Sequence, residues 1–325
     1  MHYRVGLDLG GTNIVGGLVN EHDEVVGLEK VPTEAARGSE SVLRRMAELV
    51  EGLIETHRIP RAAIEAVGAG IPGLVNPLEG VCIGAANLQW RDVPAAARLS
   101  ELLGLPVFID NDVRAYVLGE ALFGAGRGHR VVLGVTLGTG IASALIMEGR
   151  PYYGARMIAG ELGHIYMEGE LGVCGCGRTG CLETVASATG LTRQAREQLA
   201  AGRPSLLAAL ALTPEAITAA HITEAYDRGD AVAVELMRHT GRLLGRALSY
   251  AVTLYNPDVI VVGGGVAQAG ERLLAPAREE LALRALGMYT EGLALKATEL
   301  GDRAGVLGAA AHAARMRRDA AGAGG

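Results

Sequence analysis

The alternation of apolar and polar positions predicts strands at the start of the chain and helices after them. Apolar runs predict strands at 4–9, 14–20 and 24–32, with a glycine turn after the first. From Val42 to Thr56, apolar residues recur at the three- and four-residue spacing of one helix face. A buried strand at 66–71 follows and ends at Pro72-Gly73. The next segments are predicted as a polar loop at 84–93, a helix at 94–103, a strand at 107–109 and a helix at 112–123.

A second block of elements begins near Gly124. Strands are predicted at 131–136 and 142–147, followed by an irregular stretch rich in glycine and cysteine at 160–181. Helices are predicted over most of 183–255, then a strand at 259–262, a further helix, and a last helix at 304–316. This alternation predicts an α/β fold with layered packing. The recurrence of a strand and glycine turn in mid-chain indicates a duplicated nucleotide-binding fold.

Composition and charge exclude several classes of protein. Hydrophobic residues make up 49% of the 325 residues and aromatic residues only 4%, so the core is predicted to consist of Ala, Val, Leu and Ile. The net charge of −6 and the lack of a long basic run argue against nucleic acid as a partner. The uncharged run 131–147 is interrupted by glycines and falls short of the ~20 apolar residues of a membrane helix. We therefore expect no membrane segment and a cytoplasmic location, since no secretory signal opens the chain.

Three glycine turns follow apolar strands and could bind a nucleotide. Glycine lets backbone N–H groups approach phosphate oxygens, and an aspartate at a strand tip is placed to hold Mg²⁺. A plain hairpin turn is the alternative at each position, and no Gly-Lys-Ser/Thr follows that would make a P-loop. Three such turns in one chain favour a nucleotide site. They are Asp8 with Gly10, Gly11, Thr12 and Asn13; Gly138, Thr139 and Gly140; and Gly263, Gly264 and Gly265.

Asp110, Asn111 and Asp112 lie between a predicted strand and a predicted helix. An Asp or Asn at this place is commonly a simple helix cap. Three such residues offer more polar groups than a cap needs. A carboxylate here could accept the proton of a substrate hydroxyl during phosphoryl transfer.

One histidine and three cysteines have the spacing of a metal site. His164, Cys174, Cys176 and Cys181 form an H-x₉-C-x-C-x₄-C pattern. One imidazole and three thiolates complete a tetrahedral zinc shell, which is typical of a structural site in a reducing compartment. The alternative is free core cysteines and a histidine bonded elsewhere. Cys82 lies far away in the sequence and is predicted to be an ordinary buried thiol.

Together these motifs resemble the ROK family, which groups bacterial sugar kinases with sugar-responsive repressors. The resemblance covers residues 7–308. Its most diagnostic part is Gly160 to His164 together with Cys174 to Glu183. It implies a two-lobed actin-like ATPase (ribonuclease H-like) fold with an interlobe cleft. It also implies a small lobe of residues 1–112 plus the helix 304–316, a larger lobe of 113–303, and a disordered tail at 317–325.

The resemblance implies a role for each motif. Asp112 would be the general base on the 6-hydroxyl of a hexose, and Mg²⁺ and ATP would lie on the three glycine turns. His164 would hold structural Zn²⁺ with one ring nitrogen and the sugar with the other. Backbone around Gly70 to Gly73 would close over the sugar ring. Other sugar contacts would come from Asn87, Asn111, Glu161 and Glu183.

Glucose is the expected substrate, and the resemblance leaves alternatives open. The alternative substrates are other hexoses, namely N-acetylmannosamine, N-acetylglucosamine, fructose and allose. The phosphate donor could be polyphosphate instead of ATP. Ala142, Ser143 and Ala144 replace glycines usual in the family, so the donor is less firmly implied. A sugar sensor without turnover is a further hypothesis. A repressor would need a helix-turn-helix ahead of the first strand, for which we expect no room. A homodimer or homotetramer is implied.

Overall fold

The strands are described from a computed structural model, which covers residues 2–322 here. Apolar stretches form most of them, as the sequence pattern predicts. In chain order they are β1 (Tyr3–Leu9), β2 (Asn13–Asn20), β3 (Val25–Pro32), β4 (Ile64–Ile71), β5 (Leu74–Asn76), β6 (Val81–Ala85), β7 (Trp90–Val93), β8 (Val107–Asn111), β9 (Val131–Leu137), β10 (Ile141–Met147), β11 (Arg150–Pro151), β12 (Val259–Gly263) and β13 (Ala294–Ala297).

The helices follow the predicted amphipathic segments. They are α1 (Ser39–Thr56), α2 (Ala95–Leu103), α3 (Asp112–Phe123), α4 (Glu183–Ala186), α5 (Ala188–Ala200), α6 (Leu207–Leu210), α7 (Ala219–Asp227), α8 (Ala231–Tyr255), α9 (Glu271–Arg284), α10 (Gly287–Thr290) and α11 (Arg303–Gly322). Short 3₁₀ turns at Ala86–Leu88 and Leu162–His164 lie in the regions of the predicted sugar contacts. Within residues 2–322, no helix is both long and apolar enough to span a bilayer.

Two five-stranded sheets have corresponding strand orders. The first has the order β3-β2-β1-β4-β8 and the second β11-β10-β9-β12-β13. In the first, β1 is antiparallel to β2 and parallel to β4, and β4 is parallel to β8. In the second, β12 is parallel to both β9 and β13. This matching order supports the duplicated fold that the sequence indicates.

The chain divides into two compact units. Unit 1 consists of residues 1–129, 144–159 and 298–325, and unit 2 of residues 130–143 and 160–297. The sequence-based division placed residues 113–129 in the second lobe, whereas here α3 lies in unit 1. The reason is that α3 packs closely on α11, where a Cβ on Gly308 would overlap the backbone of Ala115.

The core of unit 1 lies on both faces of the first sheet. On one face, α1 and α2 bury Leu43, Met46, Leu53 and Leu99 against β1 and β4. On the other face, α11 lies directly on the strands. A Cβ on Gly6 would overlap the backbone of Val306, and one on Gly68 would overlap that of Ala309. Glycine in β1 and β4 therefore allows a close approach that another residue would block.

The core of unit 2 is built around α8. Its 25 residues bury one side along their whole length, from Val232 to Val252, in keeping with the predicted helix face. This helix packs on α9, where Gly245 meets the backbone of Ala277. Strand β12 is buried throughout, as expected for a strand with neighbours on both sides.

Two sequence predictions about elements are corrected by the structure. The segment 84–93 is not a loop, because β6 and β7 pair with β5 in a three-stranded sheet that buries Trp90. Strand β13 also went unpredicted. The predicted disordered tail at 317–325 is wrong for residues 317–322, where α11 continues, and residues 323–325 lie outside the described part of the chain.

Candidate functional site

The first glycine turn of unit 1 connects β1 and β2 and is fixed by short hydrogen bonds. Gly10 N–H donates to Asn13 O at 2.8 Å, and Thr33 Oγ1 donates to Gly10 O at 2.7 Å. Gly11 and Thr12, in the middle of the turn, are both exposed. Asn87 lies next to this turn, with its Nδ2 3.3 Å from where a Cβ of Gly11 would stand. The structure thus brings the predicted phosphate turn and a predicted sugar contact together.

The parallel strands of unit 1 place the acidic residues at one sheet edge. Asp8 pairs with Gly70 across β1 and β4, and Gly70 pairs with Asp110 across β4 and β8. Asp112 follows at the start of α3, where a Cβ on Gly70 would lie 3.2 Å from its Cα. The carboxyl ends of parallel strands are the usual ligand-binding edge of such sheets.

The carboxylate of Asp112 is oriented by hydrogen bonds from its neighbours. Its Oδ1 accepts hydrogen bonds from Val113 N–H and from Asn111 Nδ2, each at 2.9 Å. The same Asn111 amide donates to Gly73 O at 2.9 Å, and its Oδ1 caps α3 by accepting from Arg114 N–H. Asn111 therefore uses both its amide nitrogen and its amide oxygen in hydrogen bonds, and it fixes Asp112 next to the Gly70 to Gly73 segment.

Two carboxyl groups at this edge have raised pKa values. Burial raises the pKa of Asp8 to about 7, and the negative charges of Asp112 and Asp302 add to the shift while Lys30 opposes it. Burial raises the pKa of Asp112 to about 6, against the hydrogen bond from Val113 N–H and the charge of Arg114. A carboxylate with a pKa near neutrality suits a general base, and carboxylates held close together suit a cation.

Replacing Asp8 by asparagine is expected to stabilise the magnesium-free protein at alkaline pH. The pKa of Asp8 in the folded protein lies above the ordinary 3.8. The protonated carboxyl therefore keeps its full contribution to stability below pH 3.8, and this contribution is lost as the buried carboxyl ionises while pH rises to about 7. Asparagine cannot ionise, so Asp8→Asn should raise the free energy of unfolding by roughly 4 kcal/mol at about pH 8, at about 1.4 kcal/mol per unit of pKa, and by little at about pH 4. Urea unfolding at both pH values measures this. Asp92→Asn, at an exposed carboxylate, is the control, and equal gains at both pH values would contradict the assigned cause.

In unit 2, the other two glycine turns lie side by side. Gly138 to Gly140 connects β9 and β10, with Gly138 N–H donating to Gly140 O at 2.9 Å. Strands β9 and β12 are parallel and pair Thr136 with Gly263. Gly264 has a φ of +90° and lies so close to Leu137 that a Cβ would overlap its carbonyl. The two predicted nucleotide turns therefore form one backbone surface at the carboxyl end of the second sheet.

Glu183 links this surface to the predicted zinc motif. Its Oε2 accepts from Ile141 N–H at 2.9 Å and lies 2.5 Å from where a Cβ of Gly140 would stand. Its Oε1 is 3.4 Å from Cys174 Sγ. Gly163 packs against the carbonyl of Ile141, so the 3₁₀ turn that carries His164 begins beside the same strand end.

His164, Cys174, Cys176 and Cys181 form a cluster with the dimensions of a zinc shell. Their ligand atoms all lie within 4.8 Å of one another. Cys176 Sγ and Cys181 Sγ are 3.7 Å apart, as are Cys174 Sγ and His164 Nδ1. A tetrahedral zinc site requires about 3.8 Å between two thiolates and about 3.6 Å between a thiolate and an imidazole nitrogen. The four residues fit the metal in number, chemistry and spacing.

The two ring nitrogens of His164 face different groups. Nδ1 is directed at the cysteine cluster, whereas Nε2 lies 3.8 Å from Glu161 Oε2. Glu161 is exposed and His164 partly so, which leaves both open to a ligand. The dual role that the family resemblance implies for this histidine would use these two nitrogens separately.

Three residues near Asp112 have no predicted role from the sequence, although their side chains interact: Asp110, Arg114 and Tyr153. Asp110 is buried and accepts hydrogen bonds from Arg114 Nε at 2.6 Å and Tyr153 OH at 2.8 Å. An Asp and an Arg four residues apart are a common sequence signal, but most such pairs lie on the surface. Cys82 is buried near Pro72 O, as predicted.

The fold and the two sets of side chains define the class of protein. Duplicated five-stranded sheets, with glycine turns and carboxylates at their carboxyl ends, confirm the α/β fold of the actin-like ATPase type. The sequence profile described as "ROK family" matches residues 4–316. The chain belongs to the ROK family.

Relatives of known sequence and structure cover most of the chain. A glucokinase of Halalkalibacterium halodurans is 36% identical over 94% of this chain and 92% of its own. The crystal structure of a ROK family glucokinase from Streptomyces griseus in complex with glucose and AMPPNP is 34% identical, with a TM-score of 0.80 over 96% of this chain and 99% of that one. A ROK hexokinase structure from Thermus thermophilus is 32% identical with a TM-score of 0.80, covering 98% and 99%.

Proposed function

We propose that this protein phosphorylates glucose on its 6-hydroxyl with ATP as the phosphate donor. The observation on which this depends is the placement of Asp112. Its carboxylate is fixed by Asn111 and Val113, its pKa is about 6, and it shares a sheet edge with Asp8 and the first glycine turn. The named relatives, a glucokinase at 36% identity and a glucokinase bound to glucose and AMPPNP, support the choice of sugar and nucleotide.

In unit 1, the proposed roles follow from the geometry. Asp112 accepts the proton of the sugar hydroxyl as this attacks the γ-phosphoryl group. Asp8 holds Mg²⁺, whose charge favours ionised Asp8 over the protonated form that burial favours. The backbone N–H groups of the exposed residues Gly11 and Thr12 bind phosphate oxygens, with Gly10 and Asn13 closing the turn. Asn87, beside Gly11, contacts the sugar.

In unit 2, Gly138, Thr139 and Gly140 bind the phosphates, and Gly263 to Gly265 bind the adenosine. Their adjacency along β9 and β12 supports a single nucleotide surface. Glu161, His164 Nε2 and Glu183 bind sugar hydroxyls. His164 Nδ1 and the three cysteines hold structural Zn²⁺, which fixes the imidazole tautomer and leaves Nε2 free to bind sugar.

A panel of hexoses tests the function directly. With Mg·ATP fixed, initial rates are measured for glucose, mannose, fructose, N-acetylglucosamine, N-acetylmannosamine and allose. Glucose is expected to give the highest kcat/KM, with polyphosphate in place of ATP as a second comparison. A higher value for another sugar would replace glucose while keeping the kinase assignment. Tight sugar binding without turnover would instead favour a sugar sensor.

The proposal also covers assembly and location. Large apolar side chains remain exposed where the ends of α8 and α9 meet, among them Leu254 and Leu283, which line a groove of about 620 Å³. Exposed apolar surface of this kind is typical of protein interfaces, which supports a homodimer or a homotetramer built from it. The mass of the protein in solution, measured by light scattering, tests whether it is a dimer or a tetramer. Three thiolates available for zinc favour a reducing, cytoplasmic location.

A further inference from the structure

A buried polar network lies directly behind Asp112 and Asn111. We call it the Arg114 network; it consists of Asp110, Arg114, Tyr153, His312 and Arg315. Asp110, Arg114 and His312 are each at most 5% exposed. Charged groups are rarely buried to this degree unless they are paired, and a buried pair is costly to assemble. Its function therefore requires an explanation beyond simple packing.

Arg114 uses its guanidinium on three separate parts of unit 1. Nε donates to Asp110 Oδ1 at 2.6 Å, Nη1 to Met157 O at 3.0 Å and Nη2 to Val75 O at 3.1 Å. The guanidinium also lies over the ring of Tyr153, 5.1 Å from its centre. A planar fork of fixed donors can hold three acceptors at set angles, which a lysine ammonium on a flexible stem cannot reproduce.

Two of the three acceptors, Asp110 and Val75, are close to groups that the proposed reaction uses. Asp110 Oδ1 also accepts from Asn111 N–H at 2.7 Å, one residue before the base. Val75 belongs to β5, whose sheet continues through β6 into the turn that carries Asn87. Asn111 Nδ2 holds Gly73 O immediately before β5. One side chain thus connects the base to the sheet of a sugar contact.

The remaining members hold Asp110 in place. Tyr153 OH donates to Asp110 Oδ2 at 2.8 Å, and Arg315 Nη2 lies 3.3 Å from the same hydroxyl. His312 Nδ1 is 3.7 Å from Asp110 Oδ2 and 3.1 Å from Arg315 Nη2. Asp110 is therefore hydrogen-bonded from α3 and from the segment after β11, and α11 places His312 and Arg315 beside these bonds.

We propose that Arg114 is a positioning residue for the phosphoryl transfer: through Asp110, Val75 and Met157 it keeps Asp112 and the sheet of Asn87 in one arrangement. The inference rests on the proposed kinase function. Displacement of a reacting group by about 1 Å can cost 10²-fold in rate. Loss of the fork should therefore lower activity toward the sugar much more than binding of the nucleotide.

Arg114→Lys retains the charge but removes the fork. We expect kcat/KM for glucose to fall about 10- to 100-fold, with the KM for Mg·ATP changed less than about 2-fold. Arg44→Lys is the matched control, because Arg44 also pairs with a carboxylate four residues before it but is exposed. Its kinetic constants should equal those of the wild type. A folded Arg114→Lys protein with unchanged kcat/KM for glucose would overturn the proposal.

Comparing Arg114→Met, which lacks both the fork and the charge, with Arg114→Lys separates the effect of position from the effect of charge. Asp112 faces Asp8 from β1, Cys82 from β6 and Arg114 from its own helix, and the Arg114 charge lowers the pKa of Asp112. The acid limb of kcat/KM should move to higher pH in Arg114→Met and stay in place in Arg114→Lys. A purely structural role for Arg114 would lower the melting temperature without moving this limb.

Tyr153→Phe decides the question if both Arg114 variants fail to fold. It removes one hydrogen bond to Asp110 and keeps the ring under the guanidinium, so kcat/KM for glucose should fall about 5-fold. An unchanged value would overturn the proposal. The wild type is assayed first, so that failure of this proposal can be told from failure of the kinase assignment. If the wild type phosphorylates no hexose, its sugar binding is measured instead, by titrations followed through Trp90 fluorescence. A wild type that binds no sugar would remove both proposals.

Discussion

Replacing Asp112 by asparagine is expected to lower kcat for glucose phosphorylation at least ~10²-fold, the lower end of general base catalysis. Asparagine keeps the shape of the side chain and can still face Val113 N–H and Asn111, so the start of α3 should remain intact. Sugar affinity, measured by Trp90 fluorescence or calorimetry, should change little. Asp319→Asn, an exposed substitution in α11, serves as the control and should match the wild type.

The pH profile gives the same prediction a second test. A base with a pKa of about 6 must be ionised to act, so wild-type kcat/KM should fall as pH drops below about 6. Bound Mg²⁺ keeps Asp8 ionised over this range, so at saturating Mg·ATP the limb should belong to Asp112. In Asp112→Asn the residual rate should lose this limb. Near-normal turnover, or an unchanged acid limb, would remove Asp112 from the role of base.

Removal of zinc is expected to abolish tight sugar binding. Cys176→Ser or a strong chelator should release about one zinc per chain, lower the melting temperature and weaken sugar affinity about 10-fold or more. The reason is that, in the proposed arrangement, His164 would hold the metal with Nδ1 and a sugar hydroxyl with Nε2, so its ring would lose its fixed direction when the cluster opens.

Metal content and sugar affinity should therefore fall together. Zinc is measured by atomic absorption, and sugar binding by calorimetry, which does not depend on turnover. Cys82→Ala is the matched control: this buried thiol lies outside the cluster, so the variant should keep its zinc and its sugar affinity. A zinc-free protein that binds glucose normally would separate His164 from the metal and contradict the proposed dual role.

The parts of the fold and site that depend on local pattern were predictable from the sequence. Helix α3 begins at Asp112 as predicted, because the side chain of Asn111 caps its first turn by accepting from Arg114 N–H. The clustering of His164 with the three cysteines was equally predictable, since these four residues lie within eighteen positions of the sequence. The glycine turns were found because each follows an apolar strand.

The parts that depend on distant contacts were not predictable. Strands β5 to β7 are three to five residues long and mix polar and apolar positions, so their pairing decides their structure. Arg114 and Asp110 look in the sequence like Arg44 and Glu40, which form an exposed pair. Only the packing of α11 and the segment after β11 buries one pair and leaves the other in solvent. The unit boundary likewise depends on α3 meeting α11.

The close seating of α11 on β1 and β4 has a consequence for synthesis of the protein. Its glycine contacts at Gly6 and Gly68 join β1 and β4 to a helix that begins more than 230 residues later in the sequence. The core of unit 1 therefore cannot be completed before α11 has been synthesised, whereas residues 160–297 of unit 2 are contiguous and precede that helix. During synthesis, the first sheet keeps the face that α11 covers open until this helix emerges.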